Sequence, residues 1–446
     1  MHRLKGPKLS AWQFLTLGYL LIILTGALLL TLPISSKAGT WTSFLDALFT
    51  ATSATCVTGL AVVDTFLHWS LFGQIVVLLL IQIGGLGFMT ILTLIMVLMG
   101  RSVGLYQRQL IMQSAGSLSL SGSVSLILRI LRGTLLIEGT GAVLLSIRFC
   151  RDFGFLTGIY YGIFHSVSAF CNAGFDLMGR YGAFSSLVPY ADDPLVSFTI
   201  VGLIFLGGLG FLVWTDLLKC RFRFRHFALH TKISLVASFF LLLVPTLLFY
   251  LFERENLLAG LSLPQALMRS LFTAMTPRTA GFNTIDMAGM TNGSYLLTIF
   301  LMFIGGNSGS TAGGIKITTF VVMTGTALAG ARRSSLVLGG RQLDDSLVRE
   351  AASTLSAYLM LAGTGCMVLA AVEPFNLTQI TLEVVSAIAT VGLTTGITTS
   401  LSSLSHVVLI VLMFAGRLGV MTLAIAFGQR KNQPPLRRPI DKILIG

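Results

Sequence analysis

Four octapeptides in this chain align without a gap: SATCVTGL (53–60), SAFCNAGF (168–175), MTPRTAGF (275–282) and SAIATVGL (386–393). Each puts glycine in the same column (Gly59, Gly174, Gly281, Gly392) and follows it with a large apolar residue, Leu60, Phe175, Phe282 or Leu393. A second motif recurs downstream in each copy: IGGLGFMT (83–90), LGGLGFLV (206–213), IGGNSGST (304–311) and AGRLGVMT (415–422). One such match would mean little. Four in register mean one small unit used four times, which dictates the architecture before any other feature does.

Upstream of each glycine the pattern is that of a short helix. Ser43-x-x-Asp46, Ser262-x-x-Gln265 with Pro264 just inside, and Asn376-x-x-Gln379 are capping boxes or near variants, and Thr157 is the best candidate cap in the second copy. These helices are too short to cross a bilayer, yet apolar runs long enough to cross flank them. The runs predict eight spans, at about 12–33, 71–99, 123–147, 196–218, 232–252, 295–327, 350–372 and 406–428. With 54% hydrophobic and 11% charged residues, the 446-residue chain is far from a soluble composition. The first run has too long an apolar core, and no small-residue cleavage site, for a secretory signal.

Basic residues set the orientation. Of the 30 lysines and arginines, 21 fall on one side of these spans, and only Lys37, Arg148, Arg151, Arg180, Arg254 and Arg269 on the other. Both termini are therefore expected in the cytoplasm, in a multi-pass plasma (bacterial inner) membrane protein. The net charge of +13 then needs no nucleic acid to explain it.

Non-helical backbone survives at membrane depth only where protein buries it or it lines a water-filled cavity. Four glycine turns on one axis would present rings of backbone carbonyls, which can replace the hydration shell of a cation. Glycine admits the positive φ that such a turn demands, and the short helices aim their negative dipole ends at the ion. The residues beside the glycines vary: Val57 and Thr58, Asn172 and Ala173, Thr279 and Ala280, Thr390 and Val391. That is expected if the backbone is the ligand. The other reading is that the glycines serve only close helix packing, which needs no short capped helix. The expected fold is an all-α membrane protein of four covalently linked span, pore-helix, filter and span repeats, with pseudo-fourfold symmetry around one pore. The repeats take 1–100, 101–220, 221–342 and 343–446, with filters near 56–60, 171–175, 278–282 and 389–393.

SATCVTGLAVVDT, IQIGGLGFMT, SAFCNAGF, TPRTAGFN, STAGGIKITTF, SAIATVGLTTG and the tail RRPIDKILIG together resemble the membrane subunit of the Trk/Ktr/HKT superfamily of potassium transporters, most of all its Ktr branch. The resemblance covers nearly the whole chain. It implies potassium selectivity, since plant relatives that favour sodium typically carry serine at the first filter position. It implies a homodimer with one pore per chain, and a cytosolic regulator-of-potassium-conductance ring (KtrA/TrkA-like) that binds the nucleotide. No soluble regulatory domain is evident in this chain, and no cofactor is expected on it beyond the potassium ion. Sodium dependence is compatible with the resemblance. In the last motif this sequence has Val420 and Met421 where the family usually has Pro-Leu.

The segment IGGNSGSTAGGIK (304–316) interrupts an apolar run. It fails the phosphate-loop pattern because Ile315 separates Gly314 from Lys316. It reads as a helix broken beneath the filter, its polar backbone facing the water of the inner cavity. The resemblance makes it an intramembrane gate loop: Gly305, Gly306, Gly309, Gly313 and Gly314 supply mobility, and Asn307, Ser308, Ser310 and Thr311 supply polar groups. A static kink is the other reading. Arg417, a cation at membrane depth, is a functional-site candidate. It would repel potassium below the filter and, by resemblance, act with the loop, or it pairs with Glu138. Lys316 could belong to the gate or snorkel. Arg278 is expected to point away from the axis.

Two other functions were open. A coupled cation symporter could use the same pore. An intramembrane lipid-modifying enzyme would need converging acids, bases or metal ligands, and His165 stands opposite Thr50 in the repeat rather than a carboxylate. Cys56, Cys150, Cys171, Cys220 and Cys366 have no metal-ligand spacing. The patch KCRFRFRHF (219–227) reads as a topology determinant, with docking of the ring or of anionic membrane lipids as alternatives.

Overall fold

The computed structural model describes residues 10–87, 90–91, 93–94, 123–332, 334–420 and 422–423. Arg3, Lys5, Lys8, Arg101, Arg108, Arg333, most of 88–99, the end of the eighth span and the C-terminal tail lie outside the described residues.

A backbone in lipid must satisfy its own hydrogen bonds, and helices account for nearly all of this fold. The first repeat comprises α1 (Ala11–Thr31), α2 (Phe44–Thr55) and α3 (Leu71–Leu86). The second has α4 (Ser123–Phe153), α5 (Phe155–Phe170), α6 (Pro194–Leu209) and α7 (Phe211–Lys219). The third has α8 (Leu229–Glu253), α9 (Leu263–Met275), α10 (Asn292–Phe303) and α11 (Ile317–Ala331). The fourth has α12 (Asp345–Val372), α13 (Leu377–Ile388) and α14 (Ser403–Leu418). A hairpin of two two-residue strands, β1 (Val337–Leu338) and β2 (Arg341–Gln342), pairs antiparallel with Val337 opposite Gln342.

Among the described residues, four helices are each long and apolar enough to cross a membrane unbroken, and they are the first spans α1, α4, α8 and α12. The second spans depart from the expected continuous helices. α3, α6 and α14 stop at Gly87, Gly210 and Gly419, with φ of 84°, 90° and 85°. α6 and α7 meet at 91°. A left-handed φ is open to glycine at little cost, so the glycine ends the helix although the apolar run continues through it. The third repeat replaces this single-residue break with the long loop between α10 and α11.

The short helices α2, α9 and α13 have 12, 13 and 12 residues. At 1.5 Å per residue they reach about 20 Å, well short of the ~30 Å hydrocarbon core. Two expected caps form: Gln265 and Gln379 accept the Ser262 and Asn376 N–H groups. Ser43 caps α2 without a side-chain bond. The second copy corrects the expectation, because α5 starts at Phe155 behind Gly154, not at Thr157. Gly154 has φ 82°, which lets the chain reverse directly out of α4.

Burial is inverted relative to a soluble protein. Leu21, Leu28, Phe240 and Leu243 lie exposed on α1 and α8, whereas Thr52, Ser53, Ser168 and Thr390 are buried around the centre. Carboxylates at the ends of two first spans tie down the second spans. Glu253 accepts the Thr291 N–H at 2.9 Å before α10, and Glu373 accepts the Ser402 N–H at 2.8 Å before α14.

Candidate functional site: a ring of four turns and the loop beneath it

Helices α2, α5, α9 and α13 end at Thr55, Phe170, Met275 and Ile388, and a glycine turn follows each. The turns close into a ring. A Cβ built on Gly59 would lie 2.5 Å from the Ala173 carbonyl oxygen, one on Gly174 2.8 Å from that of Ala280, and one on Gly281 2.6 Å from that of Val391. One on Gly392 would meet the Thr58 carbonyl oxygen, which completes the circuit. The four glycines are thus required twice over, by their positive φ and by the carbonyl that occupies the space a side chain would need.

Sequence reasoning anticipated one left-handed residue per turn, and the structure has two. Val57, Asn172, Thr279 and Thr390 have φ of 57°, 59°, 67° and 53°, each two residues before its glycine. For β-branched Val57 and Thr390 this is an unusual conformation, costing on the order of 1–3 kcal/mol each where the surroundings enforce it. A hydroxyl at the end of each short helix helps to enforce it. Ser53 accepts the Thr58 N–H on its carbonyl (2.8 Å) and the Gly59 N–H on Oγ (3.0 Å). Ser386 does the same for Val391 (2.8 Å) and Gly392 (3.0 Å). Ser168 Oγ donates to the Phe175 carbonyl, and in the third turn Thr276 Oγ1 donates to that of Phe282. Serine in three of the four octapeptides was the available signal, unread before the geometry was known.

The second motif lies directly under these turns. A Cβ on Gly84, Gly207 or Gly416 would collide with the last carbonyl of a short helix, that of Thr55, Phe170 or Ile388 respectively. This close approach is why the paired glycines recur.

The loop 304–316 is pinned to its surroundings at several points, while Ser308, Gly309 and Ser310 stay half-exposed. Gly305 N–H donates to the Ile315 carbonyl (2.9 Å) and Ile315 N–H to that of Phe303 (3.2 Å), pinching the loop at its neck. Asn307 and Thr311 are buried. Asn307 N–H donates to the Gly208 carbonyl, Thr311 N–H to that of Gly207, and Thr311 Oγ1 to that of Phe170. Phe211 N–H returns a bond to the Gly309 carbonyl at 2.8 Å. Ser308 Oγ lies 3.1 Å from Thr318 Oγ1, and Lys316 Nζ donates to the Ala312 carbonyl at 2.7 Å. A Cβ on Gly306 would meet Ala312 and Ser310, one on Gly313 would collide with Thr390 in the fourth turn, and one on Gly314 would press on the Gly305 backbone across the neck of the loop.

Arg417 occupies the column held by Gly85, Gly208 and Gly306 in the other repeats. Its guanidinium donates to the Thr311 carbonyl in the loop, to the Gly84 carbonyl in α3, and to that of Gly85 at 3.4 Å. The alternative pairing with Glu138 is not formed: Glu138 instead accepts from Gln82 at 3.1 Å. Arg278 turns away from the ring and donates to the Ser238 carbonyl (3.2 Å) and Oγ (3.3 Å). Asn307 Nδ2 donates to that same Ser238 hydroxyl at 3.2 Å, so one side chain of α8 holds both the third turn and the loop.

On the opposite side of the ring is a small vestibule of about 70 Å³, lined by all four ring glycines together with Asp64 and Asp176. Asp64 accepts the Phe66, Leu67 and Phe184 N–H groups. Asp176 accepts only that of Met178 among the described contacts, at 2.8 Å. Partial burial, offset in part by that N–H and reinforced by the Asp64 carboxylate, pushes Asp176 up to about 7.

A family model described as TrkH, cation transport protein, matches residues 11–436. The chain belongs to this family. It is 39% identical to the Ktr system potassium uptake protein B of Bacillus subtilis, over 99% of this chain and 98% of that protein. It is 38% identical to the potassium/sodium uptake protein NtpJ of Enterococcus hirae, over 100% and 99%. The fold is similar to the crystal structure of the potassium transporter TrkH from Vibrio parahaemolyticus, with a TM-score of 0.75 at 20% identity, over 96% of this chain and 86% of that one. Membership in a family of cation transport proteins disposes of the enzyme alternative. His165, its best candidate, has both ring nitrogens engaged, Nδ1 with the Tyr161 carbonyl at 2.8 Å and Nε2 with the Leu177 N–H at 3.3 Å.

Proposed function

We propose that this member of the TrkH family takes up potassium across the plasma membrane through the ring of four turns. The observation that carries this reading is the closed circuit in which the Thr58, Ala173, Ala280 and Val391 carbonyl oxygens each face the glycine of the neighbouring turn. In a low-dielectric setting such a ring can exchange for the water around a bare monovalent cation. Val57, Thr58 and Gly59, with Asn172, Ala173 and Gly174, Thr279, Ala280 and Gly281, and Thr390, Val391 and Gly392, are the filter backbone. The names of the two sequence relatives support potassium as cargo, and the second makes sodium dependence a reading to test.

The loop from Gly305 to Lys316 is the gate in this reading, and Arg417 is its latch. Its cationic head, placed just below the ring between α3 and the loop, opposes passage of a cation by both bulk and charge. Opening requires the Thr311 carbonyl to part from Arg417. In a Ktr-type system that work falls to a nucleotide-binding cytosolic ring, and we assign this chain such a partner, a homodimeric state, and both termini on the cytoplasmic side.

Potassium-limited growth and rubidium uptake in a bacterium stripped of its own potassium uptake systems test the filter and the gate separately. Gly281→Ser should lose potassium preference, and deletion of 308–313 should lose dependence on the ring. A serine variant that behaves as wild type would leave the glycines as packing residues and end the pore reading.

A further inference from the structure

The surface of the second repeat carries a continuous groove that no described residue fills. Its apolar part, about 740 Å³, runs between α4 and α6, with Leu136, Thr140 and Leu144 on one wall and Phe198, Gly202 and Leu206 on the other. Leu136 also lines the adjoining part, about 480 Å³, formed where α7 turns away from α6. There the lining changes character to Arg129 and Arg132 of α4 and Trp214 and Lys219 of α7. All three cations are exposed, and among the described residues none of them has a carboxylate oxygen within 4 Å. Asp216, the carboxylate of α7, is engaged with the Ala228 N–H at 2.9 Å.

The groove is thus amphipathic along its length. An apolar trough on the membrane-facing side of two spans is a seat for an acyl chain. Cations at its end, one turn apart on α4 and across from Lys219, suit a phosphate. Trp214, whose indole N–H donates to the Leu206 carbonyl at 3.1 Å, stands at the junction, where interfacial tryptophans sit. The floor is shaped by glycine: a Cβ on Gly202 would meet nothing within 4 Å.

We propose that this groove binds one anionic phospholipid, its acyl chain between α4 and α6 and its phosphate among Arg129, Arg132 and Lys219. On the orientation proposed above the lipid belongs to the cytoplasmic leaflet, but its binding does not depend on that reading or on the gate. The site would couple membrane composition to the second repeat, whose α6 carries the Gly207 and Gly208 carbonyls that hold the loop.

The test is native mass spectrometry of the delipidated full-length protein, titrated with phosphatidylglycerol or phosphatidylcholine. Wild type should take up one phosphatidylglycerol ahead of all others. The triple variant R129A/R132A/K219A should bind it roughly a hundredfold more weakly, the loss expected when three cations beside an anionic headgroup are removed, with little change for phosphatidylcholine. Gly202→Leu, which fills the trough inside a regular helix without backbone strain, should weaken both lipids while thermal unfolding stays at the wild-type temperature. Equal affinity for the two lipids, or wild-type binding by both variants, would overturn the proposal. So would displacement of the lipid by inorganic phosphate at equal concentration, which would leave only an anion site. A Gly202→Leu variant that changes oligomeric state with lipid binding intact would assign the groove to a second copy of the chain.

Discussion

Arg417 in the fourth repeat donates a hydrogen bond to the carbonyl of Thr311 in the third, and the same guanidinium reaches the Gly84 carbonyl in the first. One side chain therefore spans the space below the ring and links three of the four repeats. A hydrogen bond from a charged donor contributes about 1.5–3 kcal/mol, and Arg417 is half-buried, so the lower end applies. Arg417→Ala should raise rubidium flux into proteoliposomes, without any cytosolic partner, by roughly tenfold or more. Arg417→Lys should not restore wild-type closure, because an ammonium lacks the planar fork that meets two carbonyls on different helices. Partner-free flux at the wild-type level in Arg417→Ala would remove this residue from the gate.

The hydroxyls that hold the turns should matter for selectivity more than for folding. Ser53→Ala and Ser386→Ala each delete one acceptor, for Gly59 and Gly392 N–H respectively, at about 1 kcal/mol. The strained φ at Val57 and Thr390 is then less well enforced. The potassium-over-sodium preference in competitive uptake is expected to fall about fivefold, with protein levels near wild type. Unchanged preference in both variants would mean that neighbouring turns alone hold the ring.

The repeats, the ring glycines and the short helices were legible because each rests on a local rule, apolar length, capping or glycine at a fixed column, reiterated four times. The helix ends at Gly87, Gly210 and Gly419 were hidden because hydropathy runs straight through them. The loop was legible only in part. Its polar residues suggested water, but Asn307 and Thr311 find their partners in Gly208 and Phe170, more than 90 residues away in sequence, and no local pattern encodes such pairings. For the same reason Glu138 was offered to Arg417 and turned out to be bonded to Gln82.

Asp176 predicts a pH dependence on the vestibule side. With its carboxyl raised to about 7, it is roughly nine-tenths ionised at pH 8 and one-tenth at pH 6. The direction follows from the sign: above 7 the vestibule over the ring holds a second negative charge beside Asp64, and below 7 it loses it. Half-saturating potassium should therefore rise a few-fold as the pH on the vestibule side falls from 8 to 6. Asp176→Asn should show the high value at both pH values, and an Asp176→Asn profile that still tracks pH would place the titration elsewhere.

The contact between Gly313 and Thr390 offers a way to test whether filter and loop are seated on each other. A Cβ at Gly313 would collide with Thr390 Oγ1, a hydroxyl with no hydrogen-bond partner. Gly313→Ala should therefore lift the loop from the fourth turn and raise partner-free flux several-fold, while Thr390→Ala alone, which removes no bond, should change flux little. In the double variant the obstructing oxygen is gone, and the nearest remaining neighbours of the new methyl are the Thr390 Cβ position and the Ala389 carbonyl oxygen, both at 3.1 Å. Flux should return most of the way towards wild type, so the two substitutions should be strongly non-additive, as expected for residues in contact. Additive effects in this double-mutant cycle would show that the loop does not lean on the fourth turn.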